Sequence, residues 1–545
     1  MFRTNRMQQM SMTDSFLRLP EHVKKLVEKS WAKDFAEYIF PAIDEERFAV
    51  LYSENGSRPN TPVNVVVGSM MLKEYFGLTE EEVLMSIYCD VLFQYALHLT
   101  QEEQPPVSDR TWSRFRERLL KHEMETGEDL MKAEMESLAQ VIAKHMNLKG
   151  NIKRMDSLMV ASRCKRMSRL EIVYAVCENA VRLLNRLGVS ENAVRLLNRL
   201  GVSEYIPQGC AHYLDEDDRN NVIYRCHGEE TENRLTEALR EADGLRKALE
   251  DAGLTDKEEY TLLDRVLREQ AEQDEEGKQV PKDKKEIRSD SLQNPSDPDA
   301  TFRQKAGEGH KGYVGNVVET ISDNGLGVVT TMDYAQNIHS DSQFLKDYLD
   351  QRPDDAAPEI MIADGAYGGQ ENVQRAEDKG VELVVTALTG KDPDIVMGEF
   401  QFNEDGTKVL RCPMGHEPEK STFHSKTGMC RAKFHRSCCE TCPYRDKCRA
   451  REQKKSFAVY VSTKMVDRAN TLKKLSTDHY RRLGRLRNGI ECRPSLLRRR
   501  MDVDRIPVFG YLPSKLFFML KTGASNLIAF FGFQRRQRVN YAQFA

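Results

Sequence analysis

The chain has 545 residues, 40% of them hydrophobic, with 85 acids against 81 bases. That length exceeds one simple domain, and that apolar content excludes an intrinsically disordered chain. The formal charge of −4 averages two opposed segments: residues 215–276 hold 21 acids and 9 bases, whereas 464–545 hold 18 bases and 5 acids. The C-terminal part thus carries the electrostatic footprint expected for contact with a phosphate backbone, set against the plainer reading of a solvated basic surface.

The opening, MFRTNRMQQM, lacks the apolar core of a secretory signal. A cytoplasmic, reducing setting is therefore expected, and the twelve cysteines are not expected to form disulfides. Residues 1–148 read as helical throughout. In TPVNVVVGSMMLKEYF and GLTEEEVLMSIYCDVLFQYAL the apolar positions recur at three and four. Pro105-Pro106 breaks the pattern, and Ser108 then reads as the N-cap of SDRTWSRFRERLLKH. That helix presents Arg110, Arg114, Arg116 and Arg118 beside Trp112 and Phe115. A helix, a turn and an arginine-rich helix fit a helix-turn-helix reader of DNA. An amphipathic bundle with Trp112 as a core anchor fits equally.

From Gly150 the period changes. GNIKRMDSLMVAS predicts a strand ending near Asp156. HKGYVGNVVETISDNGLGVVTTMDY predicts two strands joined at Asn324-Gly325, both of which tolerate positive φ. A capped helix (SDSQFLKDYLD), a strand closed by Asp364 (EIMIADG), a helix (ENVQRAEDKG) and a strand (VELVVTA) follow. The order gives an α/β fold, a mixed sheet flanked by helices. Two segments interrupt it: an acidic helical insertion over 168–288 and a Cys-rich β insertion over 392–465. In the first, ENAVRLLNRLGVS at 178–190 recurs letter for letter at 191–203. An identical pair reads as a recent duplication rather than a solenoid. Each copy reads as a short helix ended by Gly188 or Gly201, with Ser190 or Ser203 capping what comes next. Near the C-terminus KLFFMLKTGASNLIAFFGF is interrupted by Lys521 and reads as a buried helix, not a membrane span.

Three acids from distant parts of the chain stand out: Asp156, Asp364, and Glu491 in RLRNGIECRPSLLRRR. Hard cations take oxygen ligands, and paired metals stabilise both the attacking and the leaving oxygen of a phosphodiester displacement. Taken singly, either aspartate is more often a turn residue. Arg487 lies four residues before Glu491 and Arg498 seven after, which a helix would put on one face. Pro494 implies that this helix is kinked or starts near Glu491. Guanidinium groups at Arg487 and Arg498 suit phosphates, and Arg481, Arg482, Arg485, Arg493, Arg499 and Arg500 would track a DNA backbone.

Six cysteines cluster between Cys412 and Cys448. A tetrahedral zinc ion needs four N or S ligands. Cys412, Cys439, Cys442 and Cys448 are the preferred set for structural Zn²⁺, with His416, Cys430 and Cys438 as alternates. The irregular spacing leaves open reduced thiols packed in a small β insertion. Cys89, Cys164, Cys177, Cys210, Cys226 and Cys492 are scattered and read as small hydrophobes.

Together DRTWSRFRERL, RMDSLMVAS, DPDATFRQKAGEGHKGY, IADGAYGG, CCETCPYRDKC and RNGIE resemble a DDE transposase of a bacterial insertion sequence. The resemblance implies an N-terminal helical DNA-binding domain over 1–148, with Arg114 and Arg118 toward DNA. It implies an RNase-H-like catalytic domain over 149–545 from which both insertions loop out, with the DDE triad at Asp156, Asp364 and Glu491. It further implies Mg²⁺ or Mn²⁺ on those carboxylates, cleavage at the element's ends and strand transfer into target DNA. The partners implied are double-stranded DNA and further copies of the chain on it, with no membrane. The family's signature around the last acid is Tyr, Arg, Glu and Lys. Arg487 and Glu491 fit, Arg498 replaces Lys, and Gly484 occupies the Tyr position, with Tyr480 one turn earlier. An inactive DNA-binding derivative and a nuclease without strand transfer are the alternative readings.

Overall fold

The computed structural model describes residues 1–5, 14–53, 59–100, 107–191, 205–305, 307–385 and 392–544. Pro105-Pro106, Gly201, Ser203 and the second repeat copy beyond Glu191 lie outside the described residues.

The N-terminal part is helical, as its periodicity predicts. Its centre is the helix Val63–Phe76, which buries Val65, Val66, Val67, Met70, Met71 and Leu72 and ends at Gly77, where φ is 69°. A helix apolar on nearly every side has to be surrounded. The helices Thr111–Thr126, Leu130–His145 and Tyr511–Phe544 surround it and share its core. Trp112 is an anchor here, its indole donating to Ser69 Oγ at 2.9 Å. The arginine-rich helix begins at Thr111 and not beside Ser108, whose hydroxyl and amide instead meet the Thr111 hydroxyl. The helix therefore lacks a side-chain cap. Tyr511–Val539 is long and apolar enough to cross a membrane, yet 72% of its most apolar window is buried inside the protein. Lys521, the residue that interrupts it, donates to Glu74 Oε2 at 2.7 Å and to the Met501 carbonyl at 2.6 Å.

Six strands form a mixed sheet: β1 (Ile152–Ala161), β2 (Thr301–Lys305), β3 (Glu308–Ile321), β4 (Gly327–Gln336), β5 (Glu359–Ala363) and β6 (Val381–Val385). The long β3 pairs antiparallel with β1, β2 and β4, whereas β5 runs parallel to β1 and β6 parallel to β5. The hairpin at Asn324-Gly325 forms, but as a longer loop in which only Gly325 takes positive φ, while the Asn324 carboxamide accepts from the Leu326 amide. Strand β1 does not stop at Asp156. Pairing with β3 continues to Ala161 opposite Gly312, which leaves Asp156 in mid-strand. The β4 edge is covered: the Asn526 carboxamide clasps both backbone groups of Val329, and Glu136 accepts from the Met332 amide. Gly315 lets the C-terminal helix close on the sheet, since a Cβ there would lie 2.3 Å from the Phe518 ring.

Two segments leave the sheet, one between β1 and β2 and one after β6. The first holds the helices Arg169–Glu191, Glu216–Tyr224, Glu229–Asp251 and Glu258–Gln270 around a core of its own that includes Val173, Val181, Leu239 and Leu263. The first repeat copy stays helical to Glu191, so Gly188 is an interior residue and not a helix terminator. The second insertion is β-rich, with a four-stranded sheet built on Met429–His435 and Ser456–Val461.

Candidate active site

Strands β1 and β5 are in parallel register, with Ile152 opposite Ile360 and Arg154 opposite Ile362. Asp156 and Asp364 each stand two residues beyond the last of these pairs, so the two carboxylates leave the sheet at one level. Asp364 follows β5 directly and opens a turn in which its side chain accepts from the Ala366 amide at 2.8 Å. Asp156 accepts from the Ser157 amide at 2.9 Å. Burial pushes the Asp156 carboxyl up to about 6 against the Ser157 hydrogen bond; the Asp364 charge adds to the rise, and Arg487 and Lys305 oppose it.

Glu491 arrives from the basic segment through a break in the helix. Asp478–Asn488 ends, a 3₁₀ turn spans Gly489–Glu491, and a new helix runs Cys492–Arg499. Pro494 explains the break: as the third residue of the new helix it needs no partner for its missing N–H, whereas one continuous helix would need one. The Glu491 side chain remains about two-thirds exposed. Arg487 links the acids, with Nη2 at 3.9 Å from Asp364 Oδ2 and Nη1 at 3.7 Å from Glu491 Oε1.

Beneath this surface lies a buried charge cluster that the sequence reading did not find. Glu319 on β3 accepts from Arg154 Nε at 2.6 Å and from Arg493 Nε. Arg154 also donates to the Leu486 carbonyl at 2.6 Å, and Arg493 to the Gly327 carbonyl. The strand of the first aspartate and the two helices flanking Glu491 are thereby tied to one carboxylate. Gly489 permits this, because a Cβ there would sit 2.3 Å from Arg154 Nη1. The available signal was the charged Arg154 and Glu319 standing next to apolar residues within predicted strands. Arg493, expected to face DNA, is buried in this cluster.

The other expected DNA contacts are spread over the surface. Arg481 lies 3.6 Å from Asp478 and Arg482 2.8 Å from Asp323, while Arg485, Arg499 and Arg500 are exposed. Arg498 faces Asp504 at 3.7 Å, not Glu491. Arg114 is exposed, and Arg118 lies over the Tyr52 ring. Tyr480 donates to Glu382 on β6, so that ring is tied to the sheet edge.

As donors, three carboxylates fit a hard divalent cation, and burial, which raises the Asp156 carboxyl, disfavours a bare charge there that such an ion would offset. Among the described residues no three His, Cys, Asp or Glu side chains already stand together as an ion cage. The cysteines do converge: Cys412, Cys438, Cys439, Cys442 and Cys448 line one small cavity with Phe434 and Tyr444. Burial, with neighbouring thiols adding, pushes Cys439 up to about 11 and Cys448 to about 12. His416 is not part of this lining, and Cys430 points instead to the Thr407 carbonyl. Cys89 and Cys492, expected as small core residues, are exposed.

Two family models match the chain. Residues 24–118 match a transposase domain (DUF772), and residues 411–530 match a transposase DDE domain. No curated protein and no solved structure matches it. The first match spans the central helix Val63–Phe76 and half of the arginine-rich helix; the second runs from the cysteine insertion through Glu491 into the C-terminal helix. With a transposase domain matched toward one end and a transposase DDE domain toward the other, the two matches support a DDE-type transposase of an insertion sequence.

Proposed function

We propose that the protein cuts DNA at the ends of its insertion sequence and joins the freed 3′ ends to target DNA, with Asp156, Asp364 and Glu491 as the catalytic acids. The observation that carries this reading is the common level of Asp156 and Asp364 on adjacent parallel strands, with Arg487 reaching from the Glu491 segment to Asp364. The strand order β4–β3–β1–β5–β6, in which only β1, β5 and β6 run parallel, supports an RNase-H-like core. Ligands of open α/β sheets gather at the carboxyl ends of parallel strands, where Asp364 lies.

Within the site, Arg487 draws the Asp364 and Glu491 side chains toward a single centre of charge. Burial leaves Asp156 with charge to be neutralised. Mg²⁺ or Mn²⁺, which DDE transposases generally use, would be held by these three acids and would supply Lewis-acid stabilisation of the attacking and leaving oxygens. The exposed Arg481, Arg482, Arg485, Arg498, Arg499 and Arg500, with Arg114 and Arg118 from the N-terminal part, bind double-stranded DNA. Joining two element ends requires more than one copy of the chain on DNA, acting in the cytoplasm. Cys412, Cys439, Cys442 and Cys448, which line one small cavity, would hold a structural Zn²⁺ in the second insertion.

The test uses purified protein, Mg²⁺ or Mn²⁺, and a labelled duplex carrying the gene's flanking ends, comparing wild type with Asp364→Asn. Metal-dependent nicking and joining, absent in the variant, is the expected result. Cleavage without joining would reduce the reading to a nuclease, and binding without cleavage in either protein would leave a DNA-binding derivative.

A further inference from the structure

A cleft of about 350 Å³ opens at the far end of β1, lined by Val160, Arg166, His310, Lys311, Arg498 and Asp504 among others. Asp156 and Val160 are four residues apart on one strand and so share a face, roughly 13 Å from each other at ~3.3 Å per residue. Arg166 and Lys311 donate to the carbonyls of Gly309 and Met167, at 3.2 and 3.1 Å. Neither forms an ion pair with a carboxylate among the described residues. Of the nearby acids, Asp504 faces Arg498 and Glu171 is taken by Lys165. Partial burial and the Arg166 charge lower the Lys311 pKa, with Glu171 opposing. The half-buried Lys311 is thus held beside the exposed Arg166 without a protein anion between them. Such an arrangement is unfavourable by itself and is relieved by an anion from outside.

We propose that this cleft seats a backbone phosphate of the DNA strand that passes through the carboxylate site, with Arg166 and Lys311 as its principal ligands and Arg498 at its rim. The inference rests on the DNA-processing reading above and adds a positioning contact to it. Phosphates recur every ~3.4 Å of helix axis along each strand, so the cleft falls a few nucleotides from the cleavage point. A phosphate held there fixes the register of the strand against Asp156 and Asp364. Arg166 precedes the acidic insertion and Lys311 follows it, so the two ends of that insertion are drawn together at the same contact.

The experiment measures binding of the full chain to the labelled flanking-end duplex without divalent metal, over a range of salt, for wild type and for Arg166→Gln/Lys311→Gln. Each cation–phosphate contact contributes about 0.9 to the slope of log affinity against log salt, so the double variant should lose roughly 2 from that slope. A second arm needs no folded variant: single methylphosphonate substitutions along the strand, bound to wild type, should reveal one position where neutralising the phosphate weakens binding. That same substitution should cost nothing further in the double variant. An unchanged slope, or methylphosphonate effects identical in both proteins, overturns the cleft proposal while leaving the transposase reading standing. Failure of the wild type to bind the duplex at all overturns both.

Discussion

Glu319 accepts a charged hydrogen bond from Arg493, two residues past Glu491, and on its other oxygen one from Arg154, two residues before Asp156. One buried carboxylate thus sets the spacing between two of the proposed catalytic acids without touching either. Buried ion pairs contribute little net stability against apolar replacements, but removing one partner strands the others at a cost of about 3–5 kcal/mol. Here two guanidinium groups would be stranded. Glu319→Ala should therefore lower the thermal midpoint markedly, and an unchanged midpoint in a melting experiment would mean that water already serves the two arginines. Replacing all three residues with apolar ones should restore much of the stability and still fail to restore DNA cleavage, because the anchor on the Glu491 turn is gone.

Gly489 gives a cleaner separation of stability from position. Its missing side chain is what lets Arg154 reach the Leu486 carbonyl. Gly489 does not sit at positive φ, so Gly489→Ala carries no backbone strain of its own. It should displace the Arg154 guanidinium and with it the Glu491 turn. DNA cleavage should fall at least ~10-fold, equivalent to about 1.4 kcal/mol in the barrier, while DNA affinity changes little. Equal losses in binding and cleavage would argue against a positioning role.

These two residues mark where the sequence was readable and where it was not. Period and turn chemistry located β1, β5 and the 324–325 turn, because these are local signals. The end of β1 was not legible: Asp156 looked terminal, since charge in an apolar run normally marks an edge. The partner strand β3, more than 150 residues away in sequence, extends the pairing to Ala161. For the same reason Arg493 looked like a DNA contact. Its burial depends on Glu319, 174 residues distant, and composition cannot report such a pair. Pro494, by contrast, predicted a break at Glu491 from its own covalent structure, and the break is there.

A pH effect on stability should come from Glu134 in the N-terminal bundle. Its side chain is fully buried, accepting from the Asp44 amide at 3.1 Å and from Arg47 Nε at 2.9 Å. Burial outweighs these bonds and raises its carboxyl to about 7 from the ordinary 4.5. Between those values the folded state binds more protons than the unfolded one, so stability falls as pH rises and the full cost is present above about pH 7. At 1.36 kcal/mol per unit the upper figure is roughly 3 kcal/mol. Glu134→Gln keeps a hydrogen-bonding side chain without the charge. The variant should gain stability over wild type at pH 8 and not at pH 4.5, read as the difference in thermal midpoint. A difference independent of pH would mean that Arg47 holds the carboxylate ionised throughout.

The cysteine insertion makes the last prediction. Cys439 and Cys448 are held protonated by burial and then by the neighbouring Cys442 and Cys412 thiols, near 11 and 12. A cation that binds thiolates reverses that preference and releases protons, and its affinity then falls as pH falls. If zinc is the natural occupant, the purified chain should carry about one zinc per molecule, lost in Cys439→Ser and progressively lost in wild type below pH 6. The four-stranded sheet carrying Phe434 and Val459 packs against these cysteines, so chelation should lower the melting temperature of that segment. The core strands are assembled from other contacts, and Asp156 and Asp364 should keep their register when the zinc is gone. Zinc-free protein that melts at the same temperature with and without chelator would leave the insertion as a reduced, thiol-lined apolar core, sealed by Phe434 and Tyr444.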